Sequence, residues 1–229
     1  VMSLCWLVCL GVILSTHTAN AERFEFKNEK EIADWELGPQ ATAKVKDGML
    51  ELTVGGGKDS GIYFGDPNWT DYVMEVRVRK TDGPYFHLFV RVQKPALDFY
   101  FMEISYNSNT TSLFQFAGGT GVEITPGGNA ARPKRPDSKD TKGGDAYTLT
   151  FEVKGETLKT FIDGKLMIEQ KDKTYAKGRP GLGGRDSTVL YEYVDINGPG
   201  IKPSAVESAG KLAVRWGQLK SRFDAGGQK

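Results

Sequence analysis

The stretch DYVMEVRVRKTDGPYFHLFVRVQKPALDFYFMEIS, residues 71 to 105, alternates apolar and polar side chains almost without a break. Successive side chains of a β-strand point to opposite faces, so a sustained period of two calls for strands with one buried face. The pattern continues from Phe24 to about Ile196 and is interrupted by Gly, Asp or Pro every eight to twelve residues or so, the spacing of a sandwich or barrel. AKVKDGMLELTV and TFIDGKLMI each place Asp-Gly between two alternating runs, and these read as hairpins because a type I′ turn needs positive φ at both central residues. YTLTFEV puts Tyr147, Leu149, Phe151 and Val153 on one face, and VLYEYVDI supplies a closing strand. The expectation is an all-β, antiparallel two-sheet sandwich.

The ends have a different chemistry. Leu4 to Leu14 is an apolar run of the length of a signal-peptide core, too short to span a bilayer, and Ala19-Asn20-Ala21 fits a cleavage site. Residues 1–21 are therefore expected to be a signal peptide, residues 22–200 the β-sandwich domain and residues 201–229 a basic tail. Secretion or delivery to a periplasm follows, with no membrane span once the leader is removed. Both cysteines, Cys5 and Cys9, fall in the leader, so the rest of the chain must draw its stability from a core rather than from disulfides. The formal net charge of +1 points away from nucleic acid. In the tail, Leu212, Trp216, Leu219 and Phe223 form a helical stripe weakened by Gly217, among six basic and two acidic residues. This element is expected to be a short helix docked on the sandwich, or a contact for an envelope partner. The segment from Thr125 to Ala146 is rich in Gly, Pro and charge and reads as one long surface loop.

Taking TDGP, residues 81–84, as one hairpin turn and the Pro95 region as the next sets a register with Arg77 opposite His87, Glu75 opposite Phe89 and Arg91 opposite Glu103. Parity then buries Met74, Val76, Val78, Leu88, Val90, Val92, Tyr100, Met102 and Ile104, and gathers Glu75, Arg77, His87, Phe89, Arg91, Phe101, Glu103 and Ser105 on the other face. Aromatic rings among opposite charges suit a sugar, whose C–H faces cover rings and whose hydroxyls bond charged side chains. An ordinary solvated sheet with cross-strand ion pairs has the same composition. The predicted ligand-binding set is Arg77, His87, Phe89, Arg91, Phe101 and Glu103. If the protein is an enzyme, Glu103 or Glu75 would be its acid/base, with Arg91 and His87 assisting electrostatically.

The order of FEF, DGMLEL, DYVMEVRVR, HLFVRVQ, FYFMEIS, YTLTFEVKGETLKTFIDGKL and GRPGLGG…VLYEYVDI resembles the concanavalin A-like or laminin-G-like jelly-roll superfamily. Within it the chain is most similar to bacterial secreted 3-keto-disaccharide hydrolase-like domains, and DSGIYF at Asp59 to Phe64 matches part of that group's NSGI-x-x-R segment, without the Arg. The resemblance implies a glycan ligand and, for an enzyme, hydrolase or lyase action on 3-keto-sugars. Family 16 glycoside hydrolases share the jelly roll but use Glu-x-Asp-x-x-Glu; the corresponding register here is Glu103, Ser105 and Ser108, and serine cannot replace either carboxylate. Laminin-G-like sandwiches often hold calcium near the last strand, which makes Glu192 the candidate ligand; no other cofactor is expected. GGGKDSG and GGTG are turns rather than phosphate loops. With His17 in the leader and His87 the one other histidine, neither a histidine-rich zinc site nor a Cys/His nucleophile is available.

Overall fold

The computed structural model describes residues 21–128, 130–131 and 146–202. The predicted leader, apart from Ala21, nearly all of the basic tail, and the centre of the long loop lie outside these residues.

The described chain is almost entirely β. In order the strands are β1 (Ala21–Phe24), β2 (Glu36–Leu37), β3 (Ala41–Lys46), β4 (Met49–Val54), β5 (Ser60–Tyr63), β6 (Tyr72–Asp82), β7 (Tyr85–Lys94) and β8 (Asp98–Ser105). They continue with β9 (Thr110–Ala117), β10 (Thr120–Glu123), β11 (Ala130–Ala131), β12 (Tyr147–Lys154), β13 (Thr157–Ile162), β14 (Lys165–Lys171), β15 (Arg179–Arg185) and β16 (Ser187–Asn197). One 3-10 turn, Glu29–Ile32, is capped by the Asn28 side chain.

Two antiparallel sheets stack face to face as a jelly-roll sandwich. The first runs β14-β13-β12-β6-β16-β4-β3 with β1 on β16, and the second runs β10-β9-β8-β7-β15-β5-β2 with β11 on β9. The core between them takes Leu50, Leu52, Met74, Val76, Val78, Leu149 and Phe151 from one sheet and Phe86, Leu88, Val90, Tyr100, Met102 and Ile104 from the other, all at most 1% exposed. Burial on this scale, at ~25 cal/mol per Å² of apolar surface, holds the sandwich without a disulfide.

The Asp-Gly turns sit where the pattern placed them, with Asp47-Gly48 and Asp163-Gly164 at positive φ between β3 and β4 and between β13 and β14. Two features correct the register expected from residues 71–105. TDGP does not close a hairpin: at Gly83 (φ 82) and Pro84 the chain crosses from the first sheet to the second, so β6 pairs with β12 and β16, never with β7. Arg77 and Glu75 accordingly face Thr148 and Thr150, not His87 and Phe89. The second correction is a bulge. Arg91 adopts φ 51 and the β7–β8 register slips between Val90 and Lys94, so Arg91 is not opposite Glu103; His87 is. The slip inverts parity beyond it, and Val92 joins the outer face instead of the core.

Candidate functional site

The second sheet turns an aromatic face away from the core. Tyr63, Phe89, Val92, Phe99 and Phe101 are buried there, with Phe114 and Phe116 packed against them. Alternation on β8 puts Phe99, Phe101 and Glu103 on one side, and β9 adds Phe114 opposite Phe101 and Phe116 opposite Phe99. The rings lie nearly parallel in pairs, Phe101 on Phe114 at 4.9 Å and 10°, and Phe99 on Phe116 at 4.9 Å and 3°. Strand β15, from GRPGLGG, provides the bare backbone under this layer. A Cβ on Gly181 would stand 2.6 Å from Tyr63 Cδ1, and one on Gly183 would overlap the Phe89 ring.

Polar groups converge at one end of the aromatic floor. His87 on β7 is 0% exposed, its Nε2 3.4 Å from Glu103 Oε2 and its Nδ1 3.7 Å from Asp59 Oδ1. Arg185, at the end of β15, brings Nη2 to 3.5 Å from Glu103 Oε2 and Nη1 to 3.7 Å from Asp59 Oδ2, while its guanidinium lies 4.4 Å above the Tyr85 ring. These spacings exceed hydrogen-bond length, and both imidazole nitrogens and Asp59 Oδ1 are buried without a hydrogen-bond partner. Buried polar atoms left this way cost ~1–3 kcal/mol each, so the fold alone gains nothing by keeping them. Above them opens a cleft of about 220 Å³ lined by Asp59, Phe101, Glu103, Phe114, Phe116, Gly121 and Arg185. Ligand atoms of Asp59, His87 and Glu103 lie within 4.8 Å of one another, close enough to share one cation.

Of the predicted binding set, the structure brings together His87, Phe89, Phe101 and Glu103. Glu75 and Arg77 lie on the outer face of the other sheet, where Glu75 accepts from the Tyr193 hydroxyl at 2.9 Å and Arg77 donates to the Thr148 hydroxyl at 3.0 Å. Arg91 is 1% exposed, and its guanidinium donates to the carbonyls of Thr70 at 3.0 Å and Tyr175 at 2.9 Å, a loop clamp away from the cleft. Glu192, the expected calcium ligand, is paired with Arg79 at 2.8 Å, with Arg77 4.0 Å away. Asp59 and Arg185 were not among the expected residues. Both carried a signal: Asp59 opens DSGIYF, and Arg185 follows the glycine run of β15.

Comparison with known proteins agrees with this architecture. The sequence profile of the 3-keto-alpha-glucoside-1,2-lyase-like domain matches residues 22–197. An extracellular exo-alpha-L-arabinofuranosidase of Streptomyces chartreusis is 26% identical over 123 residues, which is 53% of this chain but only 14% of that enzyme. Among solved structures, the carbohydrate-binding module CBM66 from Bacillus subtilis is similar at a TM-score of 0.58 and 21% identity, covering 69% of this chain and 91% of its own. A prokaryotic beta-1,3-1,4-glucanase (lichenase) from a mouse hindgut metagenome aligns at a TM-score of 0.55 and 13% identity, over 77% of this chain and 98% of its own. At these identities the two structures establish the shared jelly roll and no more.

Proposed function

Because the chain belongs to the 3-keto-alpha-glucoside-1,2-lyase-like domain family, we propose that the cleft over Asp59, Glu103 and Arg185 binds a glycoside and cleaves it by elimination. The observation that carries this reading is the buried, unpartnered imidazole of His87 between two carboxylates at the foot of an aromatic wall. Phe101, Phe114 and Phe116 offer ring surface to the C–H face of a sugar, and the charged groups offer partners to its hydroxyls.

A carbonyl at carbon 3 acidifies the proton on carbon 2. Glu103, which lines the cleft, is the base that takes it, with His87 behind it to orient the carboxylate. The C–H electron pair closes a double bond between carbons 1 and 2, the bond from carbon 1 to the aglycone oxygen breaks, and the aglycone leaves as an alcohol after taking up a proton. Neither water nor an oxidant is consumed. Arg185, cationic and half-exposed beside Glu103, suits the negative charge that builds on the ketone oxygen. No helix among the described residues is long and apolar enough to cross a membrane; action outside the cytoplasm is part of the proposal, supported by the extracellular relative.

The test is turnover of methyl 3-keto-α-glucoside, with calorimetry on the same compound and on a panel of oligosaccharides. Wild type should cleave the keto-sugar, and Glu103→Gln should lose on the order of 10²-fold or more in rate at an unchanged unfolding midpoint. Binding without turnover would make the domain a carbohydrate-binding module. No binding of any sugar would refute the site and favour an envelope module acting through residues 203–229.

A further inference from the structure

Tyr175, in the loop between β14 and β15, is tied to three successive strands of the second sheet. Its carbonyl accepts from Arg91 Nη1 on β7 at 2.9 Å, its N–H donates to the Tyr100 hydroxyl on β8 at 3.0 Å, and its own hydroxyl donates to the Phe116 carbonyl on β9 at 2.7 Å. Its ring packs edge-on against Tyr100 at 5.2 Å, and the Tyr100 hydroxyl in turn bonds the Asp172 carboxylate. Every polar group of this one residue is therefore spent on the sheet.

The third bond reaches the cleft. Phe116 is one of its walls, yet β9 at that point is followed by the exposed turn Gly118-Gly119 (φ 57 and 83) and then by β10, an edge strand whose four residues are all exposed. The turn is tied back to the second sheet by the Gly118 N–H on the Asp98 carboxylate at 2.9 Å and the Gly119 N–H on the Leu97 carbonyl at 3.1 Å, but β10 has no strand beyond it, so a ring that must meet a ligand in one orientation needs further support at Phe116 itself. Tyr175 approaches from the opposite side, anchored by the buried Arg91 guanidinium.

We propose that Tyr175 is a positioning residue whose hydroxyl, held in place through Arg91 and Tyr100, fixes Phe116 as the aromatic wall of the cleft. The functional part of this proposal rests on the cleft being a sugar site; the fixing of Phe116 does not. Two measurements separate them. In ligand-free protein carrying 4-fluorophenylalanine at position 116, Tyr175→Phe should shift or broaden the fluorine resonance, while the same label at core position 151 stays unchanged. An unaltered signal at 116 overturns the positioning role whatever the cleft binds. With methyl 3-keto-α-glucoside as probe, Tyr175→Phe should weaken KM about fivefold, the scale of one net hydrogen bond, with kcat held within about twofold. In a Phe116→Leu background the same change should have no further effect, because Tyr175 acts through that ring. Equal losses in both backgrounds would overturn the proposal. A wild-type protein that neither binds nor cleaves the probe would refute the sugar reading, and the fluorine signal would then decide whether Tyr175 fixes Phe116.

Discussion

Gly181→Ala tests how tightly the floor of the cleft is built. Gly181 lies on β15 between Tyr63 of β5 and Phe89 of β7, and its φ is one that alanine adopts freely, so any cost comes from packing. The added methyl would stand 2.6 Å from Tyr63 Cδ1 and 3.0 Å from the Ile62 carbonyl oxygen. Ordinary contact begins at 3.4 Å, so Tyr63 must retreat by nearly an ångström. Tyr63 is 0% exposed and packs on Phe89 at 5.5 Å, and Phe89 packs on Phe99 and His87, which leaves the ring nowhere to go without disturbing the site. Overpacking of this kind costs ~1–3 kcal/mol, and the smaller unfolded-state entropy of alanine returns ~0.4–1 kcal/mol. The net loss should be ~1–2 kcal/mol, a fall of about 0.5–1 M in the urea midpoint for an m-value of ~2 kcal/mol/M. Gly55→Ala is the matched control, since nothing lies within 4 Å of its added methyl; it should be neutral or slightly stabilising. Replacing Tyr63 with Leu should largely abolish the cost of Gly181→Ala. Equal midpoints for Gly181→Ala and Gly55→Ala, or a cost that persists in full without the Tyr63 ring, would contradict close packing of Tyr63 on β15.

Burial pushes the phenols of Tyr63 and Tyr100 up to about 12. A raised value means the folded state keeps its proton longer than the unfolded chain, so this stabilisation is intact below about pH 10 and is lost as pH climbs toward 12, at up to ~1.4 kcal/mol per pH unit per phenol. Urea midpoints should therefore stay level to about pH 9.5 and fall steeply above 10, less steeply in Tyr63→Phe; a level profile to pH 12 would contradict the burial of both phenols. Burial raises the Asp172 carboxyl, but hydrogen bonds from Tyr100 and Thr174 more than offset this and leave it below its ordinary value, so the Tyr175 loop should loosen in acid as Asp172 protonates, detectable as amide exchange at Thr174 and Tyr175. Arg91→Met would strip the Thr70 and Tyr175 carbonyls of a buried donor and should cost ~2–4 kcal/mol. Arg91→Lys should recover little of it, because the planar fork meets two carbonyls at once; a loss under ~1 kcal/mol in either variant would deny Arg91 its clamp role.

The pattern of residues along single strands was legible, and so was much of what each strand presents. On β8, parity alone grouped Phe101 with Glu103 and set Tyr100, Met102 and Ile104 on the core side, as observed. On β7, it held as far as Val90 and failed at Val92, because nothing local in VRVQ announces that Arg91 takes a left-handed conformation. That conformation is supported from a distance: Gly178 packs so closely on the Arg91 backbone that a Cβ there would overlap it, and Thr70 and Tyr175 supply the carbonyls for the guanidinium. The same limit explains Glu75 and Arg77. Whether TDGP reverses a chain within one sheet or carries it to the facing sheet depends on which strands win the pairing, and β12 and β16 are more than 60 residues downstream of β6.

Period two, the Asp-Gly turns and the jelly-roll order of motifs were determined by the sequence itself, because side-chain alternation and positive φ are properties of adjacent residues. The site was decided by tertiary structure. His87, Glu103 and Arg185 come from three strands and Asp59 from the residue just before β5; β15 lies between β5 and β7, and β8 lies on the far side of β7. The N-terminal edge of β5 and the C-terminal end of β15 meet His87 only because long-range hydrogen-bond registers align them, and no pattern within a single strand encodes which distant strand will be its neighbour.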